Sequence, residues 1–221
     1  MTTITTEDIL QHAGIKGMKW GVRKQKPVSE IKYDTKDVVI KKGSNVHRMI
    51  MKANLEKEKD LSGRAYASYK KEDIEKYRKI SKMFGTNFGI DYVDMKFKVT
   101  KDMVSPSKKK RVDEFIKMID SDPKDREAMR KSIRNPILMV PKKHLDNLDN
   151  ANSADKVYNR FAYALVSNKD LRDPYFKRLE KQGYSMMIDD ADVNNKIAKA
   201  PIIVFDRKKS LVLSGTTDIG R

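Results

Sequence analysis

The side chains able to do chemistry are few and scattered. There is no cysteine in the 221 residues, which removes thiol nucleophiles, thiolate zinc sites and disulfides together. The three histidines, His12, His47 and His144, stand too far apart in sequence to suggest a metal site, and no metal ligand is assigned. Asp189 and Asp190 are adjacent, with Asp192 close by, and such a pair could bind a divalent cation; two neighbouring carboxylates in a turn are more often simply solvated. His47 and Arg48 are consecutive in "NVHRMIM", so on a strand they face opposite sides and only one can enter a cleft. No Gly-rich loop is present to cradle a phosphate.

Recognition chemistry is easier to see. "HAGIKGMKWGVRK", residues 12–24, holds the only Trp and three of the ten glycines. Gly14, Gly17 and Gly21 would each cost about 1 kcal/mol relative to Ala inside a helix. Read as extended chain, Met18, Trp20 and Val22 share one face, with Lys19, Gly21 and Arg23 on the other. Apolar knobs on a basic strand describe a docking peptide with Trp20 as its anchor.

The charge balance widens the range of partners. Against 31 Asp+Glu stand 48 Lys+Arg, a formal net charge of +17, and a field of that sign draws polyanions such as DNA. The basic residues are spread along the chain and no base-reading motif accompanies them, so any DNA contact is expected to be non-specific. The densest block, "SPSKKKRVDEF", reads as the solvated first turn of a helix. With no run of 18 apolar residues and no secretory signal at the start, neither a membrane span nor export is expected.

The elements that must position these residues follow from hydrophobic period. "TTEDILQHA" opens on a capping-box-like Thr5-x-x-Asp8 and predicts a short helix; "KQKPVSEIKYDTK" reads as a linker. "DVVIKKGSNVHRMIM" gives two strand runs about Gly43, a predicted hairpin, and "GRAYASY" a third strand. "KKEDIEKYRKISKMF" is a helix with Ile74, Tyr77, Ile80 and Phe84 as its stripe. In "YVDMKFKV" Val93, Met95, Phe97 and Val99 face the core, with Asp94, Lys96 and Lys98 opposite. Ser105-Pro106 predicts a helix start with Val112, Phe115, Ile116 and Ile119 buried. Two more helices follow, in "DPKDREAMRKSIRN" and, capped by Ser153, in "SADKVYNRFAYALVSN", where Tyr158, Phe161, Tyr163 and Leu165 pack the core. "ILMV", between Pro136 and Pro141, is too short to classify. "DPYFKRLEKQGY" predicts a helix closed at Gly183, and "SMMI", "PIIVF" and "SLVL" read as strands. The expected class is α+β: a tag and linker over 1–36, then one domain over 37–221 that is β-rich, helical and again β-rich.

Two resemblances add to this reading. His12, Gly14, Gly17, Met18, Lys19, Trp20, Gly21 and Arg23 resemble the "HxGxxGMKWGxR" tag of head-region proteins from tailed bacteriophages of Gram-positive hosts. That resemblance implies a virion-associated protein docked on a head or portal-region protein, its basic body near packaged DNA, located in the virion and in the host cytoplasm during assembly or after delivery. Residues 38–214 resemble the ADP-ribosyltransferase-like fold: a first strand with His47 and Arg48, a second with Tyr66 and Ser68 running into a helix, and a closing "GYSMMIDDAD…APIIVFDRKKSL". The resemblance implies NAD as the ligand, with Arg48 and Tyr66 binding it and Arg48, Ser68 and a carboxylate in the catalytic roles. Family members place a Glu on a late strand. Here the only Glu after residue 130 is Glu180, on the preceding helix, so the carboxylate role passes to Asp189. The alternative to a purely structural virion component is therefore a virion-delivered ADP-ribosyltransferase-like effector.

Overall fold

Two short runs, Met186–Ile188 and Ile202–Val204, are apolar and fully buried at every position, and the architecture explains why. The computed structural model describes residues 33–121, 124 and 142–220. All of these lie in the unit Lys32–Arg221, the remaining unit being Met1–Ile31. In chain order the described elements are β1 (Val38–Ile40), β2 (Asn45–Met51), α1 (Leu55–Lys59), β3 (Ala65–Ala67), α2 (Lys71–Phe88), β4 (Tyr92–Val99), β5 (Met103–Ser105), α3 (Lys108–Ser121), α4 (Lys142–Leu145), α5 (Ala151–Ser167), α6 (Lys169–Lys181), β6 (Met186–Ile188), α7 (Asp190–Asn194), β7 (Ile202–Val204), α8 (Arg207–Ser210) and β8 (Leu211–Gly220). The class is α+β, with antiparallel pairing throughout these strands.

The strands form three small sheets, β1-β5, β2-β4-β8 and β3-β7-β6. A backbone bridge between His47 and Ser68 links β2 to β3, and the Ser105 hydroxyl accepts the Ile188 amide to link β5 to β6. Successive strand residues face opposite sides, so β6 and β7 serve two cores. Met186, Ile188, Ile202 and Val204 pack with Val46, Val93, Met95 and Phe97 between sheets. Met187 and Ile203 turn the other way, into a helical core built by Phe115, Tyr158, Phe161, Tyr175 and Phe176. A strand buried on both faces has no use for polar alternation.

Several local expectations are corrected. β1 and β2 do not pair as a hairpin: β1 pairs with β5 and β2 with β4. Gly43 takes φ +86°, but its amide and the Ser44 carbonyl bond to Val99, which redirects the chain from one sheet to another. The first-turn cap of α3 is Ser107, whose hydroxyl accepts the Lys110 amide, while Ser105 belongs to β5. Asn150 caps α5, leaving Ser153 inside the helix, where its hydroxyl meets His144 Nδ1 at 3.0 Å. Asn168 caps α6 six residues ahead of Pro174, which sits within the helix. Tyr163 is half-buried rather than core, its hydroxyl donating to Asn195. Phe84 leaves the buried stripe of α2 and stacks on Phe88 at 5.7 Å in the open. The Lys108–Lys110 turn is solvated at Lys109 and Lys110 as expected, and each lysine also has a polar partner, Lys108 on Asn159, Lys109 on Asp113 and Lys110 on Asp37. The helices predicted at "TTEDILQHA" and "DPKDREAMRKSIRN", the run "ILMV" and the 12–24 segment lie outside the described residues, apart from Lys124, which is helical.

Candidate functional site

The carboxylate pair read as a solvated turn is instead buried, and each member has its own task. Asp190 accepts a two-pronged contact from Arg111, Nε to Oδ2 at 2.8 Å and Nη2 to Oδ1 at 2.9 Å, and the Tyr158 hydroxyl at 2.6 Å. Its side chain and that of Arg111 are only 3% and 5% exposed. This pair fastens the start of α7 to α3 and α5. Asp189, one residue earlier, caps α7 by accepting the Ala191 amide at 3.1 Å, and its own amide bonds to the Pro201 carbonyl. The Pro201 approach is held in turn by buried Asp73 of α2, which accepts the amides of Lys199 and Ala200.

So placed, Asp189 opens onto a cavity of about 310 Å³. Strand β2 contributes His47 and Arg48, β3 and its end contribute Tyr66 and Ser68, and α2 contributes Tyr77 and Ser81. Asp192 and Ile202 complete the wall near Asp189. Arg48, Tyr66, Ser68 and Asp189, assigned to one site from sequence, therefore line one cavity. Strand alternation suggested that only one of His47 and Arg48 could do so; both line it. Glu180 lies elsewhere, in a separate pocket with Lys101 and Lys209.

The electrostatics of the cavity are uneven. Burial, reinforced by nearby Asp192, pushes the Asp189 carboxyl up to about 7, against the opposing effect of the helix-start amides. The Tyr77 hydroxyl donates to Asp192 Oδ2, and burial together with that carboxylate raises the phenol far above its ordinary range. His47 is fixed from outside the cavity: its Nδ1 lies 3.0 and 3.1 Å from the two oxygens of Asp94. Asp94, expected on the solvent face of β4, is 2% exposed because α2 covers it and Arg78 reaches down to it. Burial alone would raise that carboxyl, yet its bonds to His47 and Arg78 prevail and hold it below the usual range.

Arg48 is a constrained cation. Its Nη2 donates to Glu58 of α1 at 3.0 Å, and buried Arg207 of α8 uses the other oxygen of the same carboxylate. The Nε atoms of Arg48 and Arg207 are buried without hydrogen-bond partners. Desolvation weakens the charged form of Arg48, Glu58 supports it, and Arg207 opposes it.

Residues 3–27 match a family of unknown function (DUF7211). No curated protein and no solved structure matches the chain. The residues that match include the whole 12–24 segment and end at Pro27, ahead of the described domain.

Tyr77, Ser81, Glu58 and Arg207 were not assigned to the site from sequence. Tyr77 was placed on the buried stripe of α2, and Ser81 stands four residues on, a spacing that puts the two on one helix face. Their polar tips were the available signal. Glu58 and Arg207 carried none, because their meeting depends on packing between distant segments. Among the described residues no cluster of three or more His, Asp or Glu could hold a metal ion, and no helix is long and apolar enough to cross a membrane.

Proposed function

We propose that residues 37–221 act as an ADP-ribosyltransferase-like domain that uses NAD as substrate, carried on a chain whose tag docks it to a phage head or portal-region protein. The observation that carries the reading is the convergence of Arg48, Tyr66, Ser68 and Asp189 on one cavity. These residues come from β2, β3 and the β6–α7 junction, and nothing in their local sequences brings them together.

The side chains suit such a substrate in kind. Arg48 lines the cavity, and its guanidinium is a cation of the kind that binds a phosphate oxygen. Ser68 and Tyr66 supply hydroxyls beside it. NAD, when bound, supplies a ribose joined to a cationic nicotinamide, and breaking that bond leaves positive charge on the ribose. Asp189, once ionised, offsets that charge in a site partly withdrawn from water. Its carboxyl titrates near 7, so the ionised fraction and the supporting effect rise with pH through that value. Asp is one methylene shorter than the Glu of the family pattern, and the α7 cap fixes where its oxygens reach. In purified protein incubated with NAD, water takes the ribosyl carbon as nicotinamide leaves, giving ADP-ribose and a proton, and nicotinamide should be released faster at pH 8 than at pH 6. No release at either pH, from protein that melts cooperatively, overturns the enzymatic reading.

The docking half of the proposal rests on the residue pattern of 12–24. Trp20 is the anchor, since an aromatic of that size buries on the order of 150–250 Å² when docked. His12, Gly14, Gly17, Met18, Gly21 and Arg23 surround it, and Arg23 is suited to acidic groups at the rim. Trp20→Ala should cost about 2 kcal/mol or more of docking energy and remove the protein from purified particles without changing its melting temperature. Normal incorporation, measured by quantitative mass spectrometry, contradicts the assignment. Any contact of the basic body with DNA is non-specific on this reading and weakens steeply with salt.

A further inference from the structure

A second cavity, of about 410 Å³, lies on the other side of Tyr66. Its lining includes Gly63, Arg64, Tyr66, Arg172, Ile203 and Phe205. Tyr66 is thus a wall common to both cavities. It stands on β3 opposite Ile203 of β7, with buried Ala65 and Ala67 on either side, and is 38% exposed.

The two sides of that wall differ in charge. Towards the first cavity stand Asp189 and Asp192, two carboxylates against the single guanidinium of Arg48. Towards the second stand two arginines that converge on a single carboxylate oxygen: Arg64 Nη1 and Arg172 Nε lie 2.8 and 3.1 Å from Asp173 Oδ1. Arg64 is fixed a second time, its guanidinium carbon 4.9 Å from the centre of the Phe176 ring, which stacks on Phe205 at 4.8 Å. The phenol of Tyr66 feels both sides, raised chiefly by burial, further by Asp189 and Asp192, and lowered by Arg172 and Arg64. Two guanidiniums held in place beside an apolar floor of Ile203 and Phe205 form a preorganised set of donors to a planar or tetrahedral oxyanion.

We propose that Arg64 and Arg172 form a phosphate subsite for the diphosphate ester of a nucleotide, and that the two cavities are taken by one ligand lying across Tyr66, its cationic end beside the carboxylates and its anionic end beside the arginines. This rests on the NAD reading of the first cavity and adds to it. Arg48 serves the phosphate nearest the ribose, and the arginine pair serves the more distant part of the ester. The geometry also gives Tyr66 a positioning role between two oppositely charged halves.

The probe is ADP, titrated calorimetrically into full-length protein, with inorganic pyrophosphate as a second titrant. Wild type should bind ADP, and Arg64→Gln with Arg172→Gln should weaken binding at least tenfold. Both arginines also hold Asp173, so Asp173→Asn serves as the structural control. It loosens the same contacts but keeps both cations, and ADP should then bind as well as to wild type or more tightly. Weaker binding by Asp173→Asn than by the double arginine variant overturns the subsite, as does ADP affinity of the double variant within twofold of wild type. Absence of ADP binding to wild type at millimolar concentration overturns it too. Pyrophosphate binding equal to that of ADP shows that the subsite reads the bare anion and contradicts the nucleotide assignment. The two proposals fail separately. Arginine-dependent ADP binding without nicotinamide release leaves the subsite and removes the enzyme, whereas release with an unchanged KM in the double variant leaves the enzyme and removes the subsite.

Discussion

Asp190→Ala is expected to destabilise the domain by about 3–5 kcal/mol, the usual result of stranding one member of a buried ion pair, and so to lower its melting temperature by roughly 10 °C. The loss has three parts. Arg111, 4% exposed, is left as a buried cation without its carboxylate. The Tyr158 hydroxyl, fully enclosed in the helical core, loses its acceptor. The start of α7 is no longer tied to α3 and α5, so the Asp189 cap beside it is disturbed as well. The pair itself is a device for position rather than a source of net stability, because desolvating two charges offsets much of their attraction. Replacing all three groups together, Arg111→Met with Asp190→Leu and Tyr158→Phe, should therefore recover most of the lost stability while leaving any activity impaired. Thermal melts of the single and triple variants check this. A single variant as stable as wild type would show that the pair is not the fastener of α7.

Asp189→Asn should move activity and stability in opposite directions. Asn keeps the side-chain oxygen that caps α7 but cannot ionise, so nicotinamide release should fall on the order of 10²-fold or more, as when one electrostatic stabiliser is removed from an active site. Stability should rise instead. The unfolded chain ionises Asp189 above its ordinary value of 3.8, whereas the folded domain does so only above about 7. Between those values the unfolded state holds fewer protons at this position, so this carboxyl makes the wild type less stable as pH rises from about 4 to about 7, and the effect then levels off. At pH 8 the displacement corresponds to roughly 4 kcal/mol, the order of magnitude by which the Asn variant gains. Near pH 4 the two proteins should melt together. A variant that loses stability at pH 8 along with activity would mark Asp189 as a structural group only.

How much of this could be read from sequence depended on whether the deciding contact was local. Alternation in "YVDMKFKV" correctly placed Val93, Met95, Phe97 and Val99 in a core, because strand period fixes which residues share a face. It misplaced Asp94, because the other face is covered by α2, and only tertiary packing brings Arg78 over it. Gly43 signalled a turn correctly, but turn chemistry does not say which strand follows beside which, and β1 went to β5. The same limit governs the cavity. Arg48, Tyr66 and Ser68 could be proposed together only through a family pattern. Tyr77 and Ser81 depended on how α2 lies, and the sharing of Glu58 by Arg48 and Arg207 depended on α1 and α8 meeting. Asp189 was proposed as a carboxylate but not as a buried one, since burial comes from the β7 approach held by Asp73 and from the ion pair next door.

The most direct test of the account is to map where NAD binds, by following backbone amide resonances of isotope-labelled protein during a titration. The account predicts shifts concentrated at His47, Arg48, Tyr66, Ser68 and Asp189, extending past Tyr66 to Arg64 and Arg172, with saturation as NAD is raised. Saturable shifts confined to another face of the domain, or no shifts at millimolar NAD, would contradict it.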